Sequence, residues 1–220
     1  MTPGEGRPTL VIGNRNYSSW SLRPWLLLRH HGVAFAEEVL PLDTPEFATR
    51  IAAFSGAGRV PVLVDGPRHV WDSLAICEYV NERWLEGAGW PADLDRRALA
   101  RSAAAEMHSG FAAMRAQLPM SVRRRPNAYR WRDDAQRDID RVQALWRTLR
   151  AGAGDGPFLL GGFGIVDAMF APVCVRFRAY GVEVDAVAAA YMATIFALPA
   201  FGEWEAAALA ETVVLAADEL

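Results

Sequence analysis

The run Tyr17-Ser18-Ser19-Trp20-Ser21-Leu22-Arg23 gathers three hydroxyls and a phenol within seven residues. Behind it Leu22, Trp25, Leu26 and Leu28 recur at helical spacing until Gly32 supplies a stop. The hydroxyls therefore sit at a helix N-terminus, where unpaired N–H groups and a partial positive charge favour an anion. A hydroxyl there can donate to a thiolate and lower the thiol's pKa, each unit representing ~1.4 kcal/mol of preference for the anion. A serine that merely caps the helix is the simpler reading of this run alone. Val60-Pro61 opens a strand. Proline there suggests a cis peptide in a tight turn, leaving the Val60 backbone to pair with an extended, peptide-like ligand. An ordinary edge-strand proline accounts for it equally well. Asp72-Ser73 opens a further helix, whose N–H groups suit a carboxylate while Asp72 suits an ammonium. Simple capping is again the alternative. Taken together, the three places describe a ligand with a thiol, a peptide backbone and a free amino-acid end.

These places need a scaffold. Thr9-Leu10-Val11-Ile12-Gly13 reads as a buried strand, with a polar loop from Asn14 to Ser19 before the first helix. Pro24 is placed in that helix's first turn, where its missing N–H costs nothing. Phe35 to Leu42 reads as a second strand. Thr44-Pro45-Glu46 starts a helix with Phe47, Ile51 and Phe54 on one face. Val60–Val64 and His69–Trp71 flank Asp65-Gly66, a hairpin turn signal. A helix bearing Leu74, Ile76, Cys77, Tyr79, Val80 and Trp84 follows. The order is βαβαββα, a four-stranded mixed sheet with a right-handed first crossover and its first and third helices on one face. That is a thioredoxin-like arrangement. Beyond Gly87–Pro91 strand signals vanish, and five helical segments are expected: Asp93 to near Pro119, Arg132 to Ala151, Asp167 to Ala179, Asp185 to Phe196, and Phe201 to Leu209. The third is almost wholly apolar and reads as a central helix covered all round. Four spans follow: a disordered extension 1–8, a thioredoxin-like domain 9–86, a linker 87–92, and an all-helical domain 93–220.

Composition narrows the possibilities. The 220 residues are 52% hydrophobic and 22% charged, which excludes disordered and collagen-like chains. A net charge of -3, with no lysine at all, gives no electrostatic reason to expect nucleic acid. The basic run Arg123-Arg124-Arg125 before Pro126 reads as a solvated turn. Cys77 and Cys174 lie far apart in apolar stretches, without metal-ligand or disulfide spacing, so buried thiols in a reducing cytoplasm and no metal are expected. No apolar run reaches the roughly 18 residues of a membrane span, and the start lacks a hydrophobic signal core.

The thiol tripeptide that fits the three places is glutathione, and the whole chain resembles the cytosolic glutathione transferases. Ser18-Ser19-Trp20-Ser21-Leu22-Arg23 is similar to the SSCSxR signature of the zeta class, and closer to a bacterial group with the run Tyr17-Ser18-Ser19-Trp20-Ser21-Leu22-Arg23-Pro24-Trp25. Gly58-Arg59-Val60-Pro61-Val62-Leu63 and Asp72-Ser73-Leu74-Ala75-Ile76-Cys77-Glu78-Tyr79 resemble the family's cis-proline and γ-glutamyl-binding motifs. The resemblance implies that Ser18 activates the glutathione thiol, with Ser19 the near alternative and Ser21 part of the helix start. It implies that Val60, beside Pro61, bonds the cysteinyl backbone, and that Asp72 and Ser73 hold the γ-glutamyl end. Arg59 is the guess for the glycine carboxylate, since no lysine is available. Trp20 stands where the zeta signature has cysteine, which argues against maleylacetoacetate isomerisation. Gly164-Ile165-Val166-Asp167 carries glycine where the family's helix cap has serine or threonine.

The resemblance also implies an electrophile pocket between the domains. Met107, Phe111 and Met114 share a helical face with His108 beside it, opposite Tyr17 and Trp20. As a bare pattern such a stripe is more often core. His30 and His31 at the end of the first helix complement its dipole and are assigned no chemistry. The expectation is a cytoplasmic, homodimeric glutathione transferase acting on a small apolar electrophile. A non-catalytic binding module, a glutathione-dependent isomerase and a disulfide reductase are the rivals.

Overall fold

Alternation along one short strand layers the N-terminal half. The computed structural model describes residues 6–219. In β1 (Thr9–Ile12), Leu10 and Ile12 enter the main core with Leu22 and Leu26 of α1 (Ser19–His30) and Ile76 and Val80 of α3 (Ser73–Trp84). Val11 faces the other way, into a smaller cluster with Leu40, Val62 and Ile51, the last on α2 (Pro45–Ala52). The sheet order is β2-β1-β3-β4, with β2 (Ala36–Val39) parallel to β1 and both β3 (Val62–Asp65) and β4 (Arg68–Trp71) antiparallel to their neighbours. This is the expected thioredoxin-like layering.

Local chemistry explains most boundaries. Thr44 Oγ1 accepts the Phe47 N–H at 3.2 Å, and Pro45 occupies the first position of α2. Gly66 turns the β3–β4 hairpin with a φ of 57°. Two expectations shift. The second strand is shorter than Phe35–Leu42, because after Val39 the Leu42 N–H turns to Asn14 Oδ1 at 2.8 Å. Pro24 is the sixth residue of α1 rather than part of its first turn, because the helix already begins at Ser19 with Ser18 as cap. The Trp20 carbonyl consequently lacks a helical N–H partner four residues on.

The helical half comprises α4 (Leu94–Ser109), α5 (Ala112–Gln117), α6 (Asp133–Ala151), α7 (Ile165–Tyr180), α8 (Ala186–Phe196) and α9 (Pro199–Ala210). Among the described residues this half has six α-helices, not five, because the first long segment breaks at Gly110-Phe111. Gly110 is extended, and a Cβ there would lie 2.7 Å from the Glu106 carbonyl oxygen. Phe111 takes a left-handed conformation, φ 58°, to restart the chain. As expected, α7 is central: it packs on α1, α4 and α8, and all its residues but Arg178 are buried. The main cluster runs without interruption from the sheet into the helical half. Residues 1–5 of the expected extension lie outside the described residues, whereas Pro8 is buried and its carbonyl accepts the Ala36 N–H at 2.8 Å. Among the described residues no single helix is long and apolar enough to cross a membrane.

Candidate functional site

Helices α1 and α3 both begin at one groove. Its larger cavity, about 370 Å³, is walled by Trp20, Arg59, Val60, Pro61, Trp71, Asp72 and Ser73. A second, about 260 Å³, shares Trp20, Arg59 and Val60 and continues past Tyr17, Ser18 and Ser19 to Leu42 and Phe47. The Val60–Pro61 peptide is cis. Val60 precedes β3, so its backbone lies outside the paired register of the sheet. Trp71, at 56% exposure, is an uncovered aromatic wall.

Asp72 caps α3 from a positive φ of 78°, which aspartate tolerates because its short polar side chain bonds locally. Its Oδ1 accepts the Leu74 and Ala75 N–H groups at 2.9 and 3.4 Å, leaving Oδ2 3.2 Å from His108 Nε2. Burial chiefly, then Arg23 and Arg115, holds the His108 pKa below 6.5 despite Asp72, so the ring is neutral at pH 7. Ser73 is fully buried, and its Oγ accepts from Arg23 Nη1 at 3.2 Å.

At the start of α1, Ser18 Oγ donates to Ser21 Oγ at 2.7 Å and accepts weakly from the Ser21 N–H at 3.4 Å. Ser21 Oγ also accepts the Gly13 N–H at 3.1 Å. Ser19 Oγ accepts from Arg176 Nη2 of α7 at 3.2 Å. The groove floor is thus strongly cationic. Arg23 and Arg115 place their guanidinium carbons 4.2 and 4.3 Å from the Trp20 ring centroid. Burial first, then Arg115, draws the Arg23 pKa down to about 9 and that of Arg176 to about 10, values that leave both charged at pH 7. Two helix N-termini and these cations make a site for anions. The protein's own thiols do not compete: Cys77 and Cys174 are fully buried, and burial pushes both pKa values well up.

The expected second-substrate wall is placed differently. Met107, Phe111 and Met114 are 2, 7 and 0% exposed in the main core, since α6 and α7 cover that face of α4 and α5. They are packing residues and line neither cavity. His108 does reach the site, edge-on to Trp20 at 5.3 Å. Tyr17 lines the smaller cavity but is otherwise occupied: its hydroxyl donates to Glu219 at 2.6 Å and accepts from Arg123 Nη2 at 3.0 Å. The basic run is therefore not a solvated turn. Arg123 also holds the Val213 carbonyl at 2.7 Å, and Arg124 lies over the Tyr180 ring at 4.3 Å. Glu211 accepts the Arg15 and Asn16 N–H groups at 2.7 and 3.0 Å, tying the chain after α9 to the loop before α1. His30 and His31 do not serve the helix dipole as cations, because partial burial lowers both pKa values and His30 packs on Phe163 at 4.2 Å.

Sequence reasoning missed Arg115 and Arg176. The signal for Arg176 was a lone guanidinium in an otherwise apolar helix, since a buried arginine must find acceptors.

Known proteins match this architecture. A stretch of 62 residues is 44% identical to a dichloromethane dehalogenase of Methylorubrum extorquens, covering 26% of this chain and 20% of that protein. Another of 73 residues is 33% identical to a dichloromethane dehalogenase of Methylophilus leisingeri, covering 30% and 26%. The chain thus spans only about a fifth to a quarter of the length of these curated relatives. A glutathione transferase homologue from Burkholderia, solved with bound glutathione, superposes with a TM-score of 0.70 at 23% identity, over 94% of this chain and 100% of that one. A theta-class glutathione S-transferase from Xanthomonas axonopodis pv. citri, also with glutathione bound, gives 0.63 at 25% identity over 89% and 95%. The model of the glutathione S-transferase N-terminal domain matches residues 17–83, and that of the C-terminal domain matches residues 84–207. With both halves matched in order, around a groove that joins two helix starts to a cis-proline strand, the chain belongs to the glutathione S-transferase family.

Proposed function

We propose that the protein is a serine-type glutathione transferase, of the zeta-like bacterial group, which adds the glutathione thiolate to a small apolar electrophile. One observation carries this: two helix N-termini, each opening with a serine over a buried arginine, converge with Val60–Pro61 on one groove while the protein's own thiols are sealed away. In this reading Val60 bonds the cysteinyl backbone beside Pro61. Asp72 meets the γ-glutamyl ammonium through its outer oxygen, and Ser73, with its hydroxyl and its own N–H at the start of α3, meets the carboxylate. Arg59, exposed at the rim shared by both cavities, meets the glycine carboxylate. The thiol then lies at the start of α1, where a hydroxyl of Ser18 or Ser19 donates to it. The thiol proton leaves to solvent. The thiolate sulfur forms a bond to the electrophilic carbon, and the leaving group departs with the electron pair of the bond that breaks. Activation and proximity supply the rate, without a covalent enzyme intermediate.

The electrophile rests against Leu42, Phe47, Tyr17 and Trp20, walls of the smaller cavity. The partial similarity to dichloromethane dehalogenases places halocarbons among the first candidates. The filled Met107–Met114 face favours one second reading, a glutathione-binding module without turnover. Calorimetry with glutathione, followed by turnover on halocarbons, aryl halides, maleylacetoacetate and hydroxyethyl disulfide, separates the cases. Saturable binding with release of halide or formation of a thioether is expected. Binding without turnover supports the module, activity on the disulfide or isomerisation alone supports those rivals, and absence of binding removes the proposal. The family also motivates a cytoplasmic homodimer, checked by fractionation and sedimentation.

A further inference from the structure

Resting on the proposed thiolate chemistry, we propose that Ser19, rather than Ser18, donates to the glutathione sulfur, and that Arg176 is the positioning residue that commits it to doing so. Arg176 lies on α7 at 6% exposure. Its Nη2 donates to Ser19 Oγ at 3.2 Å, and its Nη1 donates to the carbonyl oxygens of Arg115, at 3.2 Å, and of Leu118. A guanidinium carries only donors. The Ser19 oxygen must therefore be the acceptor in this pair, and its proton points elsewhere. Among the described residues no acceptor takes that proton, and Ser19 lines the smaller cavity. A hydroxyl whose oxygen is bonded to a cation is also a stronger donor, the property a thiolate requires.

Ser18 lines the same cavity, but its geometry is the reverse. Its hydroxyl lies 2.7 Å from Ser21 Oγ, which already accepts the Gly13 N–H. Serving a thiolate from Ser18 requires its hydrogen bond to Ser21 to be given up or reversed; Ser19 needs no rearrangement. The same device recurs at the second helix start, where Arg23, 1% exposed, donates to Ser73 Oγ at 3.2 Å. Among the described residues neither buried arginine has a carboxylate as a hydrogen-bond partner, so each is matched to a hydroxyl that faces a groove for anions. The other titratable groups around this point are Arg115 on α5, the neutral His108 beside Asp72, and Tyr180 of α7 and Asp218 of the C-terminal segment, both of which act on Arg176.

The test is a pH titration of bound glutathione on the full-length protein, followed by ultraviolet thiolate absorbance. The variants are Ser19→Ala, Ser18→Ala, Arg176→Lys and the Ser19→Ala/Arg176→Lys double. Ser19→Ala raises the bound thiol's pKa by about one unit or more, and Ser18→Ala by less than half as much. Arg176→Lys raises it by about half a unit in the unsubstituted chain and by nothing further once Ser19 is gone, a coupling that a merely structural arginine does not produce. Should Arg176→Lys fail to fold, the two serine variants decide alone, since neither alters α7. A larger shift in Ser18→Ala, or equal Arg176→Lys shifts with and without Ser19, overturns the assignment while leaving the serine-type reading intact. Glutathione bound by calorimetry with no thiolate at neutral pH in the unsubstituted protein overturns both.

Discussion

Replacing Gly164 by serine sets two physical rules in opposition. Gly164 caps α7, and serine at a helix cap is favoured over glycine by a few tenths of a kcal/mol. From capping alone the substitution stabilises. The surroundings reverse the sign. A Cβ at position 164 lies 2.8 Å from the Gly89 carbonyl oxygen, and that oxygen also accepts the Ile165 N–H at 2.9 Å. Both partners are backbone, so no side chain can swing aside. Overpacking of this kind costs about 1–3 kcal/mol, and loosening the Ile165 hydrogen bond adds about 1 kcal/mol. The net expectation is a loss of about 2 kcal/mol, which for a chain of this size lowers Tm by roughly 4–8 °C. Gly162→Ala is the internal control, because open space surrounds that position and its φ is ordinary. There the smaller unfolded-state entropy gives no change or a gain of up to about 1 kcal/mol. Urea denaturation and thermal unfolding of the three proteins, followed by helical circular dichroism, provide the comparison. A Gly164→Ser protein as stable as the unsubstituted one would refute the reasoning.

Other perturbations read the site itself. Asp72→Asn keeps the cap and tolerates the positive φ while removing the charge, so KM for glutathione should rise about tenfold with kcat nearly constant; steady-state kinetics with an unmoved KM contradicts the γ-glutamyl role. Trp20→Ala removes the ring over which Arg23 and Arg115 lie, and a loss of about 1–3 kcal/mol together with weaker glutathione binding is expected by thermal unfolding and calorimetry. Asp167→Asn deprives one of two N–H groups, those of Leu159 and Gly164, of its acceptor, at about 1–3 kcal/mol. Burial pushes the Asp167 pKa up to about 7, above its ordinary 3.8. Its contribution is therefore full below 3.8 and declines as pH rises through 7, so the stability gap between the two proteins should narrow across that window. A gap independent of pH counts against the raised value.

Legibility in the sequence followed the range of the interactions. Thr44-Pro45, Asp65-Gly66 and Asp72-Ser73 act on their own neighbours, so the starts of α2 and α3 and the β3–β4 turn could be read directly. The faces of β1 were equally plain from Leu10, Val11 and Ile12. The break at Gly110-Phe111 was hidden, because it depends on the Glu106 carbonyl crowding position 110. Met107, Phe111 and Met114 fit a core or a pocket equally well by spacing, and only the position of α6 and α7 decides for core. Arg123 looked solvated until Tyr17 and the segment after α9 met it. The groove was legible as three separate motifs; Arg115 behind Trp20 and Arg176 behind Ser19 were not, since α5 and α7 deliver them from more than ninety residues away.

The most direct measurement is a crystal structure with glutathione bound. The expected electron density runs from Asp72 and Ser73, past the Val60 backbone, to a sulfur within about 3.5 Å of a serine hydroxyl at the start of α1. A tripeptide bound outside this groove, or one whose sulfur points away from Ser18 and Ser19, would contradict the central claim.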